Sequence, residues 1–280
     1  MNRISFLNDK FLPHDQAYVH IEDRGFQLAD GIYEVILFNN KKLIDADLHL
    51  ERLNRSASEL ELRFNKSNQE LKEIILELFK RNDLDDGFVY LQITRGASPR
   101  NQAFPENYNA TIVATVSPSK EVKEEDLEKG FSAITYPDIR WGRCDIKSIS
   151  LLAGTLAKQK ATTENATEAI LIKDNFVTEG SFSNVFIIDS FNKLITRNID
   201  NNILSGITRN RVISLAKEHD IKVEERKFSK EELLAANEVF VTSSTLLIRP
   251  ISKIDNRVIG DGKCRTITKK LIELYKDFIK

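Results

Sequence analysis

The sequence predicts an α+β fold in two domains, and three observations carry that expectation. Strand and helix patterns follow one another without the regular alternation of a doubly wound sheet. A charged, proline-containing stretch, Ser117–Gly130 (SPSKEVKEEDLEKG), breaks the pattern near the middle of the chain. The 280 residues, 41% of them hydrophobic, are enough to bury more than one small core. The expected division is a first α+β domain over residues 1–119 and a second over 120–280, the latter carrying Lys147. An ordinary surface loop within one domain is the alternative reading of the charged stretch.

In chain order, Ile4–Leu12 and Ile32–Asn39 alternate apolar and polar residues and read as strands. Leu50, Leu53, Ala57 and Leu60 return at three- and four-residue steps, which predicts an amphipathic helix. Ser67 and Glu70 have capping-box spacing, and Leu71, Ile74, Ile75, Leu78 and Phe79 form an apolar face behind them. Phe88–Thr94 and Thr111–Ser117 are rich in β-branched and aromatic residues and read as strands. Beyond the charged stretch, Phe131–Tyr136 reads as a strand and Leu151–Thr162 as a helix. Glu168–Lys173 and Phe176–Thr178 form a hairpin over Asp174-Asn175. Strands follow at Asn184–Ile188, Lys193–Thr196, Lys222–Glu225 and Val239–Thr242, and helices at Thr208–His219, Lys230–Ala236 and Arg265–Ile279.

Composition narrows function. The balance of 41 basic to 42 acidic residues offers no footprint for nucleic acid or an anionic membrane. Two cysteines, Cys144 and Cys264, cannot make a disulfide framework, so a reducing compartment is expected. His14, His20, His49 and His219 form no cluster with metal-ligand spacing, so no metal is expected. The start, MNRISFLNDKFLP, lacks an apolar signal segment, and no apolar run reaches the roughly 20 residues that span a bilayer. A cytoplasmic protein is the expectation. The dinucleotide fingerprint, the Walker A loop and the G-x-S-x-G elbow are all absent.

Four segments carry chemistry: DIRWGRCDIK (Asp138–Lys147), TEGSFSN (Thr178–Asn184), LSGIT (Leu204–Thr208) and TRGASPRNQAFP (Thr94–Pro105). EDRGFQLADGIYEV near the start and VTSSTLLI near the end belong with them, and the resemblance they carry runs over almost the whole chain. In order and spacing they resemble the fold-type IV pyridoxal phosphate enzymes, most closely the D-amino acid aminotransferases. The resemblance implies a two-domain α+β enzyme with its active site between the domains. It also implies pyridoxal 5'-phosphate as cofactor, amino acid and 2-oxo acid substrates, and an obligate homodimer.

Residue by residue, the resemblance makes Lys147 the Schiff-base lysine, an amine that condenses with the cofactor and then shuttles a proton. It places Glu179 against the pyridine nitrogen, where a carboxylate keeps the ring protonated. The phosphate falls to the amides of Ile207 and Thr208 at a helix start, to Ser243 and Ser244, and to Arg52. Leu204, Ser183 and Asn184 complete the cofactor contacts. Arg100 would trap the substrate carboxylate through its guanidinium fork, with Tyr33 adding a hydroxyl. The Arg100 loop would reach into the neighbouring subunit's site, and substrate would meet the cofactor on the D-forming face. Two positions depart from the pattern. Gln102 stands where D-specific members carry histidine, and it cannot become cationic. Phe182 stands where a small hydroxyl residue is usual, bordering the substrate pocket. Trp141 and Cys144 read as packing residues. Other specificities within the family, for branched-chain amino acids, (R)-amines or a lyase reaction, stay open, as does a non-catalytic scaffold.

Overall fold

The computed structural model describes residues 3–120 and 122–280; Met1, Asn2 and Glu121, the last inside the charged stretch, lie outside the described residues. The chain divides into two compact units, Met1–Lys120 with Ile146–Ser150, and Glu121–Asp145 with Leu151–Lys280. The expectation placed Lys147 in the second domain, but its segment joins the first unit. The cause is strand pairing: Ile32 bridges Ser148, the Tyr33 N–H donates to the Lys147 carbonyl at 3.0 Å, and the Ile149 N–H donates to Gly31.

In the first unit the elements are β1 (Ile4–Leu7), β2 (Lys10–Pro13), α1 (Arg24–Leu28), β3 (Gly31–Asn39), β4 (Lys42–Leu43), α2 (Ala46–Glu59), α3 (Asn68–Arg81), β5 (Gly87–Thr94) and β6 (Thr111–Ser117). Among the described residues they build a six-stranded antiparallel sheet in the order β2-β1-β6-β5-β3-β4. The single strand expected over Ile4–Leu12 is a hairpin, because Asn8 and Asp9 both take positive φ and turn the chain. Leu50 and Leu53 of α2 and Leu71, Ile75, Leu78 and Phe79 of α3 join Ile36, Val89, Leu91 and Ala114 in one core. The capping box of α3 forms as expected, with Ser67 Oγ and the Glu70 carboxylate each accepting the other's backbone N–H. The five-residue α1, capped by Asp23, is too short to show a period and escaped the sequence reading.

In the second unit come α4 (Glu124–Lys129), β7 (Phe131–Pro137), α5 (Leu152–Thr163), β8 (Glu168–Lys173), β9 (Phe176–Gly180), β10 (Asn184–Ile188), β11 (Leu194–Thr196), α6 (Ile207–Glu218), β12 (Val223–Glu225), α7 (Lys230–Ala235), β13 (Glu238–Ser243), β14 (Leu247–Ile254), β15 (Arg257–Val258) and α8 (Thr266–Phe278). The sheet runs β12-β11-β10-β13-β14-β7-β8-β9, with β15 paired to β14. It is mixed: β11–β12, β14–β7 and β7–β8 are parallel, the other pairs antiparallel. Part of the charged stretch is not a linker but α4, which buries Leu127. Strand β14 was not expected, since Arg249, Pro250 and Lys253 break its apolar pattern. Pro250 is tolerated because pairing to β7 starts only at Ile251, so its missing N–H breaks no bond on that side. One core gathers Val185, Ile187, Val239, Val241 and Ile251 with Phe228 and Leu233; another packs Ala157 and Ala161 of α5 on Ile134, Ala169 and Leu171. Among the described residues no helix is long and apolar enough to cross a membrane.

Candidate active site

Glu179 is the last carboxylate of β9, and Asn184 opens β10; the residues between them form a tight turn. The Gly180 N–H donates to the Ser183 carbonyl at 2.6 Å. A side chain at position 180 has no room, because a Cβ there would lie 2.1 Å from Ser183 Oγ. Glu168 on β8 clasps the turn from below. Its buried carboxylate accepts from Ser183 Oγ (2.7 Å), the Ser181 N–H (3.2 Å), the Ala169 N–H (2.8 Å) and Ser181 Oγ. Four donors satisfy this buried carboxyl group, which has no ion-pair partner among the described residues. Ser183 therefore spends its hydroxyl on Glu168. Phe182, at the tip of the turn, is exposed and lies against Gly154 of α5 rather than in the core.

The Glu179 carboxylate is buried and fully engaged. Arg140 Nη1 donates to Oε1; the Asn184 amide (3.0 Å) and the Leu204 N–H (3.2 Å) donate to Oε2. Burial pushes this carboxyl above its ordinary range, while Arg140 and the Leu204 N–H pull it back. Arg140 is itself held by a bidentate pair to Asp138 and by the Asn202 carbonyl. Burial also raises Asp138, but Arg140 and Thr178 outweigh it and leave the carboxyl below its usual value.

Asn184 links this carboxylate to the start of α6. Its amide donates to both Glu179 and the Leu204 carbonyl, and a Cβ at Gly206 would fall 2.0 Å from its Oδ1. Gly206 is the N-cap of α6 and offers no side-chain cap. The helix's own ladder therefore leaves the amides of Ile207, Thr208 and Arg209 for an outside acceptor. Thr242 on β13 stands directly opposite Asn184. Among the described residues its buried hydroxyl has no hydrogen-bond partner. Ser243 closes the turn that follows, accepting the Leu246 N–H at 3.0 Å, and Ser244 is half-buried beside it.

The other residues singled out by the resemblance belong to the first unit. Lys147 is partly buried, with Nζ 4.2 Å from the centre of the Tyr33 ring and its backbone N–H on Ser56 of α2. Tyr90 packs on Tyr33 at 5.5 Å, and its hydroxyl is pushed up to about 12, by burial first and then by Tyr33. Arg52 is not solvated: Nε and Nη2 each reach the Glu34 carboxylate at 2.8 Å. His49 Nδ1 lies 2.7 Å from the same carboxylate. Burial pushes His49 below its ordinary value, so the neutral ring donates its Nδ1–H to Glu34. Burial alone would raise Glu34; Arg52 and His49 win, and its carboxyl is held at about 2.

Arg100 is exposed, its Nη1 3.3 Å from Gln27, and Gln102 is exposed on the same loop. Cys144 is buried and its thiol pushed up to about 11, chiefly by burial, which fits a packing residue; Trp141 is 44% exposed and does not fit one. Sequence reasoning gave no role to Arg140, Glu34, His49 or Glu168. Arg140 sits inside the DIRWGRCDIK segment and Glu34 inside GIYEV, yet nothing in spacing tells a buried charge from a solvated one.

Residues 31–254 match the family described as Amino-transferase class IV. A D-alanine aminotransferase of Staphylococcus haemolyticus is 40% identical, over 98% of this chain and 97% of its own. A branched-chain amino acid aminotransferase of Escherichia coli shares the fold with a TM-score of 0.92 at 23% identity, covering 100% of this chain and 95% of its own. A branched-chain amino acid aminotransferase from the thermophilic archaeon Thermoproteus uzoniensis, solved with norvaline, has a TM-score of 0.88 at 26% identity, covering 99% of this chain and 94% of its own. Another branched-chain enzyme of the same fold was solved with pyridoxamine 5'-phosphate. The chain belongs to the class IV aminotransferase family.

Proposed function

We propose that this chain is a D-amino acid aminotransferase that moves amino groups between D-amino acids, such as D-alanine and D-glutamate, and 2-oxo acids by means of pyridoxal 5'-phosphate. The observation that carries the proposal is the buried Glu179 carboxylate, tied through Asn184 to the uncapped start of α6. It is a seat for a ring nitrogen at one end and a phosphate at the other. The donor set fits that cofactor: the Ile207 and Thr208 amides, the unpartnered Thr242 hydroxyl, and Ser243 and Ser244 after it. The D-alanine aminotransferase relatives, similar over nearly their full length, support the choice of substrate.

When bound, the cofactor supplies an aldehyde for amines and a protonated ring that withdraws electrons from the reacting carbon. Lys147 would hold that aldehyde and would move a proton at the substrate's α-carbon. Glu179 would hold the proton on the ring nitrogen, and a charge there would favour its ionised form despite burial. Arg52 would add positive charge at the phosphate, with its fork fixed by Glu34. Leu204 and Asn184 orient Glu179, and Ser183 fixes the turn beside it. Arg100, Tyr33 and Gln102 would bind the substrate carboxylate, with Phe182 bordering the side chain.

The working form is proposed as a homodimer in the cytoplasm. Tyr18, Ile21 and Phe26 of the first unit are each at least 75% exposed, an apolar surface that suits a second copy. The two cysteines are unpaired, as a reducing compartment requires.

The test is a donor panel of D-alanine, D-glutamate, L-leucine and an (R)-amine with 2-oxoglutarate or pyruvate. D-alanine turnover with parallel double-reciprocal lines is expected, since the half-reactions alternate. Preference for L-leucine, or intersecting lines, counts against the proposal. Lys147→Ala is expected to remove the visible absorbance of the held cofactor and nearly all turnover.

A further inference from the structure

The loop from Gly96 to Ala110 carries Arg100 and Gln102. Apart from the bridge of Ala97 with Asp23, it has no regular secondary structure, and most of it is exposed. Such a loop would sample many conformations, and a guanidinium fork can recognise a carboxylate only from a fixed position. What holds it is a buried charge cluster. Arg24, at the start of α1 and 4% exposed, donates from Nε to Asp30 at 2.7 Å, from Nη1 to the Asn101 carbonyl at 2.5 Å, and from Nη2 toward the Gln102 carbonyl at 3.4 Å. Arg95, 1% exposed, donates from Nε to the same Asp30 oxygen at 2.8 Å and anchors to the Leu60 and Glu61 carbonyls just past α2. Phe104 from the far arm of the loop lies over the Arg95 guanidinium at 3.7 Å. The near arm is pinned by the Arg24 N–H on the Gly96 carbonyl and the Ser98 N–H on Glu22.

We propose that Arg24 is a positioning residue for substrate carboxylate recognition: by holding the carbonyls of Asn101 and Gln102, it fixes the peptide planes on both sides of Gln102, one residue beyond Arg100. The proposal rests on the assignment of Arg100 and Gln102 to substrate binding. Its physical logic is that Arg24 faces two loop carbonyls and shares one carboxylate with Arg95. Two guanidinium groups on one carboxylate leave surplus positive charge, which carbonyl dipoles offset: those of Leu60 and Glu61 at Arg95, and those of the loop at Arg24. Lysine keeps the charge but not the fork, so Arg24→Lys cannot hold Asp30 and both carbonyls at once. Phe104→Leu loosens the other arm without touching a charge.

The test uses the cofactor-loaded enzyme. For Arg24→Lys, the KM for D-alanine is expected to rise about tenfold while kcat stays within about twofold, one lost hydrogen bond to a charged group being of that size. Amide hydrogen exchange of residues 98–104 is expected to quicken by a similar factor, with exchange in β3 unchanged. Phe104→Leu should shift both readouts the same way by less. Unchanged exchange in the loop overturns the proposal, as does a fall in kcat at constant KM. Faster exchange with an unchanged KM severs the loop from substrate binding and also overturns it. Arg100→Gln measured alongside shows which reading has failed: if it too leaves KM unchanged, the error lies in the assignment of Arg100 and not in the anchoring of the loop.

Discussion

The acid sensitivity of the first unit should come mainly from the buried Glu34 carboxylate, with His49 beside it adding to it. Glu34 sits at about 2 in the folded chain against an ordinary value of 4.5, because Arg52 and His49 overcome the cost of burying it. Its folded value is depressed, so its contribution is complete above about pH 4.5 and is lost as pH falls toward 2. The amount is on the order of 3 kcal/mol at most. His49 acts in the same direction. It is buried with a lowered value, so unfolding takes up a proton below its ordinary value of 6.5. Glu34→Gln is expected to destabilise the protein near neutral pH and to flatten the loss between pH 4.5 and 2, measured by urea unfolding across that range. A slope equal to the parent's would show that Glu34 does not carry it. Arg140 raises a second question of the same kind. It is the cation that faces both Asp138 and Glu179, and its pair with Glu179 is mostly buried. Arg140→Met leaves two facing carboxylates and is expected to cost about 3–5 kcal/mol. Arg140→Lys should recover part of that, since charge returns without the bidentate grip on Asp138. Equal stability of all three proteins would rule out the pairing as a source of order at Glu179.

At the scale of elements, the boundary between β10 and α6 decides how the proposed cofactor seat is built. Asn184 lies against Gly206 so closely that no side chain fits, and through this contact the strand sets where the helix begins. Gly206→Ala should push Asn184 off the Leu204 carbonyl and displace the first amides of α6. Cofactor affinity is expected to fall at least about tenfold, read by equilibrium dialysis, with the rest of the fold intact by circular dichroism. Affinity within about twofold of the parent would show that the α6 start does not depend on this contact. Elements with strong local signals were legible in the sequence: the capping box of α3, the apolar face of α2, and the hairpin over Asp174-Asn175, whose residues both take positive φ. Elements without such signals were not. The helix α1 is too short to show a period, α4 hides in a charge run with one buried leucine, and β14 contains a proline.

At the scale of the whole molecule, each unit has a hydrophobic core of its own. Chemical unfolding of the cofactor-free protein is therefore expected to be non-coincident between probes. The single tryptophan, Trp141, reports on the second unit alone, whereas far-ultraviolet circular dichroism sums both. Superimposable curves would show that the two cores unfold as one. The sequence alone determined the class of fold, most of the elements and the motifs by which the family is known. These depend on periodicity, turn residues and motif wording, all of which are local. Tertiary structure alone decided that Lys147 pairs with the first unit, because a strand contact with Ile32 and Tyr33 outweighs its place in the chain. It also decided that Arg52 is bound to a buried Glu34, that Arg140 faces Glu179, and that Arg24 anchors the Arg100 loop. A charged side chain looks the same in a sequence whether it is solvated or buried against an opposite charge, and only residues brought together from distant positions settle which.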